Sequence, residues 1–113
     1  VLPKEIGDLK NLKILILQEN KLTSIPKEIG LLSSLKVLEL GGNLLTYLPE
    51  ELSKLTSLNK LTIWKNKLTK LPKGINTLVN LTEFDCIYNK LELTKEHVIW
   101  LEGLMAKDCH VCI

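Results

Sequence analysis

The sequence predicts an α/β solenoid, in which one short coil stacks on copies of itself, and three observations predict it. All four prolines, Pro3, Pro26, Pro49 and Pro72, stand 23 residues apart, and Asn20, Asn43, Asn66 and Asn89 keep the same step. Inside each step the apolar residues fall three apart after the proline and two apart before the asparagine. Aromatic residues make up only 4% of the 113-residue chain, so the core must be assembled from many similar aliphatic layers. A fixed step of roughly 20–50 residues marks a chain in which each unit buries its apolar face against the next.

The units read LPKEIGDLKNLKILILQENKLTS, IPKEIGLLSSLKVLELGGNLLTY, LPEELSKLTSLNKLTIWKNKLTK and LPKGINTLVNLTEFDCIYNKLEL, from Leu2 to Leu93. Ile6, Leu9 and Leu12, or Leu52, Leu55 and Leu58, have helical or 3₁₀ spacing. Proline suits the first turn of such a segment, and a nearby glutamate complements its amino end. Leu15 and Leu17, Leu38 and Leu40, Leu61 and Ile63, and Phe84 and Cys86 alternate as strand residues do. Each strand ends at an asparagine, whose amide side chain can hydrogen-bond the backbone of a turn. Four stacked asparagines would form a ladder between coils.

The fifth unit lacks the Leu-Pro start and reads TKEHVIWLEGLMAKDCHVCI. Thr94 is a capping residue, Glu96 suits the first turn, and Val98, Leu101, Leu104 and Met105 lie on one helical face. The spacing predicts a helix that covers the last coil, with Ile99 or Trp100 packed on it. The chain therefore divides into four repeats over 1–93 and a capping helix and tail over 94–113. At the amino end Ile14 and Ile16 point opposite to Leu15 and Leu17, so the first strand is apolar on both faces. An uncovered edge of this kind associates with other strands, so either upstream residues cover it or two chains pair as a homodimer through it.

The pattern L-x-x-L-x-L-x-x-N-x-L, followed by x-x-L-P-x-x-I, resembles that of leucine-rich repeat proteins. The 23-residue Leu-Pro variant is similar to the repeats of the intracellular Ras group and of bacterial effectors. The resemblance implies a curved solenoid, with a short parallel sheet on the concave face and short helices or 3₁₀ turns on the convex face. It also implies a non-catalytic protein–protein interaction module, a cytoplasmic scaffold or microbial effector. Two alternatives are the substrate-recognition part of a larger enzyme such as a ubiquitin ligase, and a self-associating structural protein.

In such a coil the outward strand residues form columns across the repeats. The first two are Ile14, Val37, Lys60, Glu83 and Ile16, Glu39, Thr62, Asp85. The next two are Gln18, Gly41, Trp64, Ile87 and Glu19, Gly42, Lys65, Tyr88. Trp64, Ile87 and Tyr88, with Lys65 beside them and acidic residues around, have the composition of a binding hot spot. The partner-binding candidates are therefore Gln18, Glu19, Glu39, Lys60, Thr62, Trp64, Lys65, Glu83, Asp85, Ile87 and Tyr88.

Other chemistry is weakly represented. The formal net charge is only +2 and arginine is absent, which removes the usual bidentate reader of phosphate and guanine, so no nucleic acid is expected. No apolar run is long enough to span a membrane. The chain opens inside a repeat without Met, so an upstream segment is expected to have been removed and secretion stays open. Cys86, Cys109 and Cys112 are an odd number and favour a reducing compartment over a disulfide framework. Cys86 replaces a core leucine or isoleucine, and Cys109 and Cys112 are expected in a frayed tail with reactive thiols. A zinc site would have to recruit His97 and His110, and no metal or cofactor is expected. A prenylation box needs cysteine where His110 stands. Asn80-Leu81-Thr82 is a chance-level glycosylation triplet. Both histidines are expected in the cap, away from the sheet. The acids of the concave face lack a pocket, so no catalytic residue is expected.

Overall fold

The computed structural model describes residues 2–113. Each coil enters through proline in an extended conformation, with φ between −54° and −77°. A five-residue 3₁₀ helix follows, at Lys4–Asp8, Lys27–Leu31, Glu50–Lys54 and Lys73–Thr77. The three-residue apolar spacing is the reason for this choice. With three residues per turn, Ile29, Leu32 and Leu35 line up on one side, and all are fully buried.

Five strands follow the turns: β1 (Ile14–Ile16), β2 (Val37–Glu39), β3 (Lys60–Thr62), β4 (Glu83–Asp85) and β5 (His110–Cys112). They form one parallel sheet in sequence order, with Leu15, Leu38, Leu61, Phe84 and Val111 in register. Helix α1 (Lys95–Ala106) is capped by Thr94, whose Oγ1 accepts from the His97 amide at 3.2 Å. It buries His97, Trp100, Leu101 and Leu104, whereas Val98 and Met105 point outward. The covering stripe is thus rotated from the expected Val98–Met105 face. Trp100 anchors it: the indole meets Phe84 edge-on at 5.3 Å, and Nε1 donates to the Leu78 carbonyl at 3.1 Å.

The tail is not frayed. After α1 the chain turns at Asp108 (φ 64°), buries Cys109 and adds β5 to the sheet, with Glu83 opposite His110 and Asp85 opposite Cys112. His110 therefore belongs to the sheet rather than the cap. Val111 supplies the inward side chain that Phe84 needs, which is the physical reason the segment pairs. Among the described residues no helix is long and apolar enough to cross a membrane.

The asparagine ladder is the main polar element of the interior. Asn43 Nδ2 donates to Leu40 O of its own coil at 2.8 Å and to Leu17 O of the preceding coil at 2.9 Å. Its Oδ1 accepts from the amides of Asn20 and Leu22 at 2.9 and 3.0 Å. Asn66 repeats this with Ile63 O, Leu40 O and the Leu45 amide, and Asn89 with Cys86 O, Ile63 O and the Leu68 amide. Asn20 lies on the first coil, and among the described residues its side chain donates only to Gln18 O. Asn66→Ala strips partners from several buried backbone groups and is expected to cost about 3 kcal/mol in urea unfolding. Asn20→Ala is expected to cost less than about 1 kcal/mol, and equal losses would contradict the ladder's directional role.

Candidate concave interface

The backbone ladder continues past each strand. Leu17 and Glu19 donate to Glu39 and Gly41 carbonyls, Leu40 and Gly42 to Thr62 and Trp64, and Ile63 and Lys65 to Asp85 and Ile87. This holds the third and fourth columns to the sheet although they lie beyond the three-residue strands. The fourth column, Glu19, Gly42, Lys65 and Tyr88, is left-handed throughout, with φ between 48° and 68°. That conformation is unstrained for glycine and costs roughly 1–2 kcal/mol for other residues. It turns the chain toward the asparagine, so Lys65 and Tyr88 project at the rim of the face, and Tyr88 is 74% exposed.

Trp64 is half-buried, and the coil preceding it explains how. The indole lies on Gly41 and Gly42: a Cβ added to Gly41 would fall inside the ring, against Cε2 and Nε1. At Gly42 an added Cβ would sit 3.3 Å from the ring's far edge and 2.9 Å from Glu19 Cγ. The pair of glycines in the second repeat is therefore the seat for the tryptophan of the third. The indole leans toward Glu19 and away from the fourth coil, which carries Ile87 and Tyr88. Among the described residues no aromatic pairing joins Trp64 to Tyr88, so the cluster is a platform with two neighbours rather than a stack.

Lys60 sits at the centre of the first two columns. Its ammonium lies 2.9 Å from Glu39 Oε1 and 3.7 Å from Glu83 Oε2, bridging three coils. The hydrogen bond to Glu39 raises the Lys60 pKa above the ordinary lysine value, opposed by desolvation and assisted by the charges of Glu39 and Glu83. Because the folded value is the higher one, this contribution is complete at neutral pH and is lost only as pH rises through that value. Gln18 Nε2 donates to the other Glu39 oxygen at 3.4 Å, and Asp85 Oδ1 accepts from the Ile87 amide at 3.1 Å. Thr62 departs from the expectation of an exposed contact. It is only 3% exposed, and its hydroxyl has no partner among the described residues. It lies on the same side of β3 as Lys60 but is covered, so it does not present itself for contact.

Sequence reasoning missed that β5 lengthens the face, placing His110 at the end of the first column and Cys112 at the end of the second. The alternation His-Val-Cys was a readable signal, but the spacing hid it: His110 follows Glu83 by 27 positions instead of 23, because α1 replaces a 3₁₀ turn. Cys109 is buried and Cys112 is partly exposed, so the C-x-x-C spacing does not present two thiols together. A groove of about 730 Å³ is lined by residues that include Tyr47, Pro49, Lys70 and Pro72 and by none of the concave columns.

With the sheet, its columns and the ladder established, the comparisons define the class. A family model described as a leucine-rich repeat region matches residues 1–106, and the chain belongs to that family. A solved leucine-rich repeat protein of Leptospira interrogans is 34% identical, covers 100% of this chain and 28% of its own, and superposes with a TM-score of 0.85. The ectodomain of the Arabidopsis thaliana receptor kinase GASSHO1/SCHENGEN3, solved in complex with CASPARIAN STRIP INTEGRITY FACTOR 2, is 34% identical. It matches 84% of this chain and 12% of its own length with a TM-score of 0.76. An internalin (inlF) of Listeria monocytogenes, 23% identical, shares the fold at a TM-score of 0.77, over 97% of this chain and 30% of its own. The chain thus spans less than a third of each of these proteins. No curated protein matches it.

Gly41→Ala is expected to push the indole off its seat and raise the acrylamide quenching of tryptophan fluorescence. Trp100, 7% exposed, supplies the unchanged background. Quenching identical to that of the unaltered protein would show that the ring does not depend on the glycine.

Proposed function

We propose that this chain is a non-catalytic interaction module that grips a protein partner on its concave face, centred on Trp64. Leucine-rich repeats are interaction modules as a class, and one similar structure was solved in complex with CASPARIAN STRIP INTEGRITY FACTOR 2. The observation that carries the reading here is the indole held flat on Gly41 and Gly42, half-exposed in the middle of the face. A preorganised aromatic anchor loses little side-chain entropy on binding, which is what makes such residues dominate interface energetics. Glu39, Lys60 and Glu83 bind one another first, so they act by shape and orientation more than by free charge. Lys65, Ile87 and Tyr88 form the rim on one side and Gln18 and Glu19 on the other. In a reducing compartment such as the cytoplasm the three free thiols persist unpaired.

Once a partner is captured by crosslinking, Trp64→Ala is expected to weaken its binding by about 2 kcal/mol, roughly thirtyfold, with Tyr88→Ala losing less. Circular dichroism of Trp64→Ala should match the unaltered protein. An affinity unchanged by Trp64→Ala would discard the concave-face reading.

The first coil favours a second use. Ile14 and Ile16 are each 56% exposed, and Leu15 and Leu17 are only partly buried although Leu38, Leu40, Leu61 and Ile63 are fully buried. Pairing of two copies through β1 would cover this edge. Sedimentation velocity should then show a concentration-dependent dimer that Ile16→Lys abolishes. A monomer over the whole concentration range would remove this reading and leave the first intact.

A further inference from the structure

We propose that Cys112, paired with His110 on β5, is a thiol modification site that forms a mixed disulfide with a small disulfide. The two residues are alternate members of one strand and so emerge on the same, concave side. Cys112 Sγ lies 3.4 Å from His110 Nε2. In the tautomer with its proton on Nδ1, Nε2 accepts a hydrogen bond from the thiol. His110 is exposed and Cys112 half-buried, so the sulfur and its base are both open to a small reagent.

The other two thiols are built to stay inert. Cys86 is 4% exposed, and burial, then the charges of Asp85 and Cys112, push its pKa up to about 12. Cys109 is buried too, and its pKa is likewise raised by burial first and Glu83 second. Reactivity follows the thiolate and its accessibility, so the three cysteines sort into one open site and two closed ones. Opposite the pair on β4 stand Glu83 and Asp85, whose carboxylates favour the approach of a cationic disulfide over an anionic one.

The step balances without an external oxidant beyond the disulfide itself. His110 Nε2 removes the proton from Sγ, and the sulfur's electron pair forms a bond to one sulfur of the disulfide. The original S–S bond breaks, and its electron pair leaves on the second sulfur. That sulfur takes the proton back from the imidazolium and departs as a thiol. One protein thiol and one disulfide give one mixed disulfide and one small thiol. The chemistry stands apart from the partner reading, since no partner takes part in it.

The test is to treat the intact chain with cystamine, a dicationic disulfide, and to follow the adduct by mass spectrometry with peptide mapping. A single fast adduct on Cys112 is expected, absent in Cys112→Ser and slowed at least about tenfold in His110→Gln. In urea, where burial is lost, all three cysteines should react, which separates accessibility from intrinsic chemistry. Equal labelling of Cys86 or Cys109 in the folded chain would overturn the proposal, and so would His110→Gln reacting at the unaltered rate. The mapping on the unaltered protein decides the matter even if a variant fails to fold.

Discussion

Asparagine amides at the ends of the repeat strands, buried at Asn43 and Asn66, hold this solenoid in register. Asn43 and Asn66, 4% and 9% exposed, each join the carbonyls of two coils and accept an amide from the turn before. A parallel strand of three residues makes too few ladder bonds to set its own register. The leucine layers are non-directional and tolerate sliding. The amide does not: it has two donor hydrogens and two lone pairs, and the coils must meet at the one offset that satisfies them. The 23-residue step, the alignment of Leu15, Leu38, Leu61 and Phe84 and the columns of the concave face all follow from that offset.

The same offset creates the site. Because Trp64 stands in the column of Gly41, its ring arrives directly over the only pair of adjacent glycines in the chain. Side chains at both positions would have forced the indole into solvent, where it would gain rotamer freedom and lose its fixed orientation. Lys60 depends on the same register: Glu83 stands opposite it on the next strand, and Glu39, opposite Thr62, reaches it diagonally from the preceding strand. The face is therefore specified by side chains that meet across neighbouring coils.

The two ends differ in how they close the stack. At the carboxyl end Trp100 and Leu101 of α1 cover the last coil, and Val111 of β5 supplies one more inward residue. At the amino end, among the described residues, the inner leucines of the first coil are only partly buried and the Asn20 side chain bonds within its own coil. The carboxyl end of the stack is thus covered by a strand and helix of its own chain, while β1 exposes Ile14 and Ile16.

Periodicity is a property of the linear chain, so the coil length, the inward leucines, the proline entry, the asparagine ladder and the helix beginning at Thr94 could all be read from the sequence. What lay beyond it depended on meetings between coils. That Trp64 turns to Gly41 rather than Ile87, that Thr62 is covered, and that Lys60 is shared by two glutamates are outcomes of packing competition among exposed side chains, which carry no periodic signature. On α1 the spacing gives Leu101 and Leu104 as inward residues and leaves Ile99 or Trp100 open, and contact with Phe84 and Leu78 selects Trp100 and turns Val98 and Met105 outward. The tail became a strand because the open edge of β4 offered it hydrogen bonds and an apolar neighbour, neither of which exists until the preceding coils have folded.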